Sequence, residues 1–522
     1  MTHRPILLTT LSFLLAMLGA GGLVHAALAL PDAPAGLIAV TTLSDQFGPD
    51  FDVCSLREAI QTANGNSTFG GCSGAGGSET IQLGAGNHIL SFQGANDDTN
   101  AIGDLDVTTS MTIVGAGPLS TTISVASGFG DRVLHIGPGA TLVMSGVRLF
   151  GAAQNVTQQG AVIQVQGVLR LSNCVVANGQ TSLTGGGLAI EVGGALIMDD
   201  CVVENNTAAT GGGIRNQGVA TITHSVIAGN DASGSSQAHA GGIATSSNGV
   251  LTLASSVVSG NSATQYAGGL DIKGERATII DSTISGNSAP DSGGILLSAG
   301  SLLMRNSALI SNTATSAAGM RITNTLATLI NSTVSGNVAQ AGAGGVAINT
   351  ANGRLYLFNT TIANNTTDVL NNGSNGGGLS IQAGSHVSMT NSVLADNIDS
   401  GASNDSPDCF GAIHSEGYNH IESMANCTVS GNTTGNVTGS DPGLGGLKNN
   451  GGPTLSHMPN AGSSVIDSGD PAGCEDPAGG VLTTDQRGFF RPVNGGITSR
   501  CDKGSIERLS YLTRVMLPLI VR

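Results

Sequence analysis

Residues 281–295 read Asp281-Ser-Thr-Ile-Ser-Gly-Asn-Ser-Ala-Pro-Asp-Ser-Gly-Gly-Ile295. A small polar residue is followed by a β-branched pair, then Gly-Asn, and a Gly-Gly pair closes the phrase. Variants of its first half begin at Asn173, Asp200, His224, Ser255, Asp281, Asn306, Asn331, Asn359 and Asn391, with steps of 27, 24, 31, 26, 25, 25, 28 and 32 residues. A repeat in this range marks a solenoid, in which each unit buries its apolar face only against its neighbours.

The units carry no helical period. Each has two alternating runs rich in β-branched residues, such as Gly268 to Lys273 and Ala277 to Ile284, which predict half-buried strands. Gly-Asn and Gly-Gly between them are expected to supply positive-φ corners. Strands this short, recurring in one direction, stack in parallel about 4.8 Å apart. The predicted fold is therefore an all-β, right-handed parallel β-helix. Alignment of the units supports it. The position after Gly-Gly reads Leu188, Ile214, Ile243, Leu270, Ile295, Met320, Val346 and Leu379, and a second aliphatic column runs from Val176 to Leu394. A small-residue column joins Cys174 and Cys201 to Ser225, Ser256, Ser282, Ser307, Ser332, Thr360 and Ser392. The recurrent Asn230, Asn261, Asn287, Asn337, Asn365 and Asn397 are expected at left-handed corners, bonded up and down the stack.

Composition agrees. The chain has 79 Gly, no Trp and 3% aromatic residues, which argues against a compact aromatic core. Its 40% hydrophobic content argues against disorder. A formal charge of −16 and the lack of a basic stripe argue against nucleic acid as a partner. Residues 1–29 read as a secretory signal peptide, with His3 and Arg4, an apolar run and an Ala-x-Ala-like end. Export to the cell surface or beyond is expected, with no transmembrane span after cleavage. The last residues, 508–522, are too short an apolar tail to span a bilayer; a final strand or a sorting tail both fit.

Eight cysteines fall into local pairs: Cys54 with Cys72, Cys174 with Cys201, Cys409 with Cys427, and Cys474 with Cys501. Cys174 and Cys201 share one inward column, so a bond and simple stacking both remain open.

The phrase Cys54-Ser-Leu-Arg-Glu-Ala-Ile-Gln-Thr-Ala-Asn64 predicts a short capping helix, with Ser55 and Glu58 as a capping box and Leu56, Ile60 and Ala63 as its apolar face. It resembles the CSLREA motif that opens many secreted bacterial right-handed β-helix proteins. The stretches Glu79-Thr-Ile-Gln-Leu-Gly-Ala-Gly86 and Gly103-Asp-Leu-Asp-Val107 continue that resemblance. The far end, with Asp441 to Leu455, Ser464 to Asp470, Asp485-Gln-Arg-Gly and Cys501-Asp-Lys-Gly-Ser-Ile-Glu507, resembles the choice-of-anchor Q domain. The repeats resemble those of polymorphic outer-membrane proteins. These resemblances imply an extracellular, pectin-lyase-like β-helix and no particular activity. The expected organisation is a leader (1–29), a cap with first coils (38–110), repeats (111–400), a choice-of-anchor-like region (401–507) and a tail (508–522).

Parallel β-helices often host polysaccharide lyases and hydrolases, which need paired carboxylates or a calcium cluster beside a base. The outward columns beside Asp271 and Lys273 hold sparse, mixed charge, and no second carboxylate is expected beside Asp271; Arg215 and Arg321 stand about 10 Å away. That pattern reads as a solvated face. His224, His239 and His414 pair with no nucleophile. Asp485-Gln-Arg-Gly with Arg491-Pro reads as a C-terminal cap held by ion pairs. The best acidic cluster is Asp97, Asp98, Asp104 and Asp106. Ile102 and Thr109 stand where an EF-hand needs ligands, so either an irregular structural calcium site or an exposed turn fits. No other cofactor is expected. The resulting expectation is a surface β-helix with a structural or adhesive role toward polysaccharide or cell-surface ligands; a carbohydrate-active lyase or hydrolase is the alternative.

Overall fold

The computed structural model describes residues 36–508 except 49–51, 75, 77–78, 96, 152–154, 237, 247, 368–375, 402–405 and 493–499. The predicted leader and the end of the tail lie outside the described residues.

One coil shows how the repeat folds. Leu270–Ile272 forms a first face, Arg276–Ile280 a second, Thr283–Ser285 a third and Ser288–Ala289 a fourth. Each strand pairs in parallel, residue for residue, with its counterpart in the coils before and after. The fold is a parallel β-helix. Among the described residues the first two faces join through Cys409–Gly417 into a 26-stranded sheet, the third is 14-stranded and the fourth 10-stranded. Leu270, Ile272, Ala277, Ile279 and Ile284 all point inward and are buried. Each large aliphatic chain among them contributes roughly 1.5–3 kcal/mol, so the aliphatic columns carry the fold.

The corners differ from the sequence expectation. The second alternating run is not one strand, because its opening residue is left-handed: φ is 50° at Asp281 and 46–51° at Asn173, Asp200, His224, Ser255, Asn306, Asn331, Asn359 and Asn391. The other left-handed corner falls on the residue before the recurrent Asn, as at Gly229, Gly260 and Gly286. The Asn itself is buried in a continuous ladder. Asn287 Oδ1 accepts from the Asn261 backbone N–H and side-chain amide, and its Nδ2 donates to Asn312 Oδ1 and the Val258 carbonyl, all at 3.0 Å. A parallel hydroxyl ladder runs through the small-residue column, where Ser256 N–H donates to Ser282 Oγ.

Nor does Gly-Gly supply positive φ in the repeats. Its second glycine is required by close approach. A Cβ on Gly242 would lie 2.6 Å from the Gly269 carbonyl oxygen, and one on Gly269 would lie 2.6 Å from that of Gly294.

Cys54–Cys72, Cys409–Cys427 and Cys474–Cys501 are bonded. Cys174 and Cys201 are free and buried. They occupy consecutive rungs of the hydroxyl ladder, with Cys174 N–H donating to Cys201 Sγ and Cys201 N–H to Ser225 Oγ. Of the two readings left open, stacking is the one observed.

At the N-terminal end, helix Leu56–Gly65 has the expected capping box, and buries Leu56, Ile60 and Ala63. Its fully buried Arg57 pairs with Asp45 at 2.8 Å and donates to the carbonyls of Gly103 and Asp104. At the other end the coils continue past residue 400 to Val437–Thr438, and the described part of the remaining chain is a lateral cover rather than an end plug. It runs back along the third face: Ser335 Oγ meets His457 Nε2 at 2.8 Å, Arg491 donates to Asn331, and Ser505 N–H donates to Thr361 Oγ1. The expected Arg pairs are present, Arg487 with Asp485 and Arg491 with Glu507, but they brace this lateral cover. The cause is visible in the strands: Thr333–Ser335 and Thr361–Ala363 are buried on both sides, whereas Val226–Ala228 is not. Among the described residues no helix is long and apolar enough to cross a membrane.

Candidate functional site on the first face

Outward positions of the first face form one register column: Asp106, His135, Gln164, Ala189, Arg215, Ala244, Asp271, Leu296, Arg321 and Ala347. A side line of bridges, including Thr184–Thr210–His239 and Ala267–Ser292–Ala317, runs beside this column. Residues on that line cover the column, so Ala189, Ala244, Asp271 and Leu296 are buried. The solvated-face reading of Asp271 is thereby corrected, since its side chain is only 2% exposed.

The cover also creates a cluster. His239, from the coil before, places Nδ1 2.8 Å from Asp271 Oδ2. Lys273 Nζ lies 3.2 Å from the same oxygen and 3.0 Å from His239 Nδ1. The His239 ring stacks on Tyr266 at 4.1 Å and an interplanar angle of 4°. One coil on, Asp291 pairs with Arg321. Burial raises the Asp291 carboxyl above the ordinary range, Arg321 opposes this, and the negative charge of Asp271 adds to it. A second carboxylate therefore does stand near Asp271. It was missed because Asp291 lies in a turn just ahead of the side line, and its neighbourhood depends on how that line folds. Among the described residues, Asp271 Oδ1 is buried with no hydrogen-bond partner. Chemically, this is an imidazole oriented by a carboxylate, flanked by an aromatic ring and an amine.

The four acidic residues expected near residue 100 divide. Asp97 is a turn cap, accepting from the N–H groups of Thr99, Ala101 and Ile102. Asp104 is buried 2.9 Å from Arg132; burial raises its carboxyl, and Arg132 opposes the rise. Asp98 and Asp106 converge on His135, which sits one coil above Asp106 in the register column. His135 precedes the recognisable repeat, so column alignment did not reach it.

A third feature is an open cavity of about 710 Å³ near the last coils, lined in part by Asp396, Asp408, Glu422 and Asp441. Burial first, then Glu422 and Asp441, raise Asp396 to about 6. Burial raises Asp408 to about 7 against the hydrogen bonds from Asn397 and Ser423.

No family model matches this chain, and no curated protein matches it. Among solved structures it is similar to the A-module of the Azotobacter vinelandii mannuronan C-5 epimerase AlgE4, at 14% identity over 75% of this chain and 95% of that one, TM-score 0.39. It is also similar to the A-module of AlgE6 from the same organism, at 15% identity over 74% and 96%, TM-score 0.34. Pectate lyase Pel9A matches at 14% identity over 82% of this chain and 88% of that one, TM-score 0.33. At this level the likeness assigns no chemistry.

Proposed function

We propose that this protein is an extracellular β-helix that binds a neutral glycan on its first face, at His239, Tyr266, Asp271 and Lys273. The observation that carries this reading is the His239–Asp271–Lys273 contact beside Tyr266, on a column whose immediate neighbours are Ala244 and Leu296, with Arg215 and Arg321 one coil further out on either side. Hydroxyl-rich ligands suit such a set, because the cluster offers fixed donors and acceptors next to an aromatic ring. Its charges are matched internally, Lys273 by Asp271 and Arg321 by Asp291, and the chain carries −16 overall, so a polyanion gains little here. Three disulfides support an oxidising, extracellular setting. The CSLREA-like cap and choice-of-anchor-like end support display at a cell surface. Attachment through this single patch is weak for one chain and becomes multivalent where many copies are displayed together.

One observation favours a second reading. An imidazole held by a carboxylate is a competent general base, so the same cluster supports a lyase or hydrolase. Incubating the purified protein with neutral and acidic polysaccharides separates the two. Retention on a neutral glycan without new reducing ends or unsaturated products supports attachment. Turnover that disappears in Asp271→Ala establishes the enzyme instead.

A further inference from the structure

His135 stands on the first face with unlike surroundings at its two ring nitrogens. Nε2 lies 3.3 Å from Gln166 Oε1. Nδ1 lies 3.0 Å from Asp106 Oδ1 and 3.6 Å from Asp98 Oδ1. An amide oxygen only accepts, so it takes the Nε2–H. In that tautomer the Nδ1 lone pair faces two carboxylate oxygens, which are acceptors too. Three lone pairs pointing at one place repel unless a proton or a metal ion sits among them.

The cluster is held in position from outside. Asp106 is buried, and its Oδ2 accepts from the Asn100 N–H at 3.1 Å, while Asn100 Nδ2 is anchored on the Arg57 carbonyl. Asp97 shapes the turn that carries Asp98. Neighbouring cations are engaged elsewhere, Arg57 with Asp45 and Arg132 with Asp104 and Asp131. That leaves Asp98 and Asp106 facing the imidazole alone among the described residues.

We propose that Asp98, Asp106 and His135 bind a first-row divalent transition ion, zinc foremost, with Gln166 orienting the imidazole. Bonds near 2.1 Å in a tetrahedron separate ligand atoms by about 3.4 Å, and the observed 3.0 and 3.6 Å straddle that figure. A ring nitrogen donor disfavours calcium and magnesium, which take oxygen. A backing acceptor on the far ring nitrogen is the arrangement that orients metal-bound histidines. Asp98, at 84% side-chain exposure, leaves the fourth position to water. The ion joins the turn at residue 98 to two successive coils and so fastens the N-terminal cap.

Titrating the metal-stripped protein with zinc chloride tests this. One zinc per chain is expected, unaffected by millimolar calcium, and cobalt(II) should give the visible absorption of a four-coordinate site that zinc abolishes. Asp98→Asn, at an exposed position that spares the fold, should weaken zinc at least tenfold. Gln166→Leu should weaken it about 10- to 100-fold without changing the thermal midpoint of the apo-protein. Absence of stoichiometric zinc uptake, displacement of zinc by calcium, or affinity unchanged in Asp98→Asn would each overturn the proposal.

Discussion

Asp271 Oδ2 lies 2.8 Å from His239 Nδ1, although the two residues come from successive coils and His239 from the side line rather than from a first-face strand. The pair exists because the side line lays one coil's residue against the next coil's outward position. His239→Ala removes a partner of the buried Asp271 carboxylate and should cost about 1–3 kcal/mol of stability, with Lys273 still holding the same oxygen. Its glycan affinity should fall about tenfold, or about 1.4 kcal/mol. Asp271→Ala should reduce both, because it removes the buried carboxylate that Lys273 and His239 share. Parallel thermal melts and affinity electrophoresis read the two effects separately.

The asparagine ladder should be the most sensitive polar element. Asn287→Ala removes four hydrogen bonds and leaves the Asn261 N–H and the Val258 carbonyl buried without that partner. A loss of about 3 kcal/mol or more is expected, since each orphaned group costs about 1–3 kcal/mol. Urea denaturation of the variant checks it, and a loss below about 1 kcal/mol, the net worth of a single hydrogen bond, would count against a buried ladder.

Glycines should divide by contact rather than by number. Gly269→Ala places a Cβ 2.6 Å from a backbone oxygen and should cost about 1–3 kcal/mol. Gly446→Ala meets nothing within 4 Å and should be nearly neutral. Equal melting points for the two variants would contradict close approach as the reason for Gly-Gly.

Two thiols per chain should react with a thiol reagent in non-reducing denaturant, and none in the native state, because Cys174 and Cys201 are free and buried. Their serine variants should keep the ladder intact, since Ser225 and Ser256 make the same bonds.

Asp408 terminates the asparagine ladder, accepting from Asn397 Nδ2 at 2.9 Å. Its folded-state value of about 7 lies above the ordinary carboxylate value of about 4. The folded state therefore binds the proton more tightly, and this residue's contribution is fully present below about pH 4 and lost as pH rises to about 7. Relative to Asp408→Asn, the wild-type protein should gain thermal stability on going from pH 8 to pH 5. A relative loss over that window would contradict the assignment.

Much of the fold was legible because burial imposes the same residue class at the same place in every coil. Leu188 through Leu379 and Val176 through Leu394 are uninterrupted for that reason. The glycine pair was visible, but its cause was not, since Gly242 and Gly269 have ordinary φ and are constrained by a carbonyl in the next coil. Likewise the left-handed corner falls on Gly260 rather than Asn261. The candidate site was largely hidden. His239, Tyr266 and Asp291 lie in segments of irregular length, and only the side line of bridges aligns them with Asp271. His135 falls ahead of the repeat. The C-terminal cover was hidden too, since contacts such as Thr333 with Gln486 join residues 153 apart with no shared pattern.

Central to this account is that one patch of the first face, and not the solenoid as a whole, engages a glycan. Hydrogen–deuterium exchange of the purified protein with and without a retained neutral polysaccharide measures this directly. The account predicts added protection concentrated in the segments around 239–246, 264–273 and 291–296. Protection spread evenly over all coils, or confined to the cavity beside Asp396 and Asp441, would contradict it.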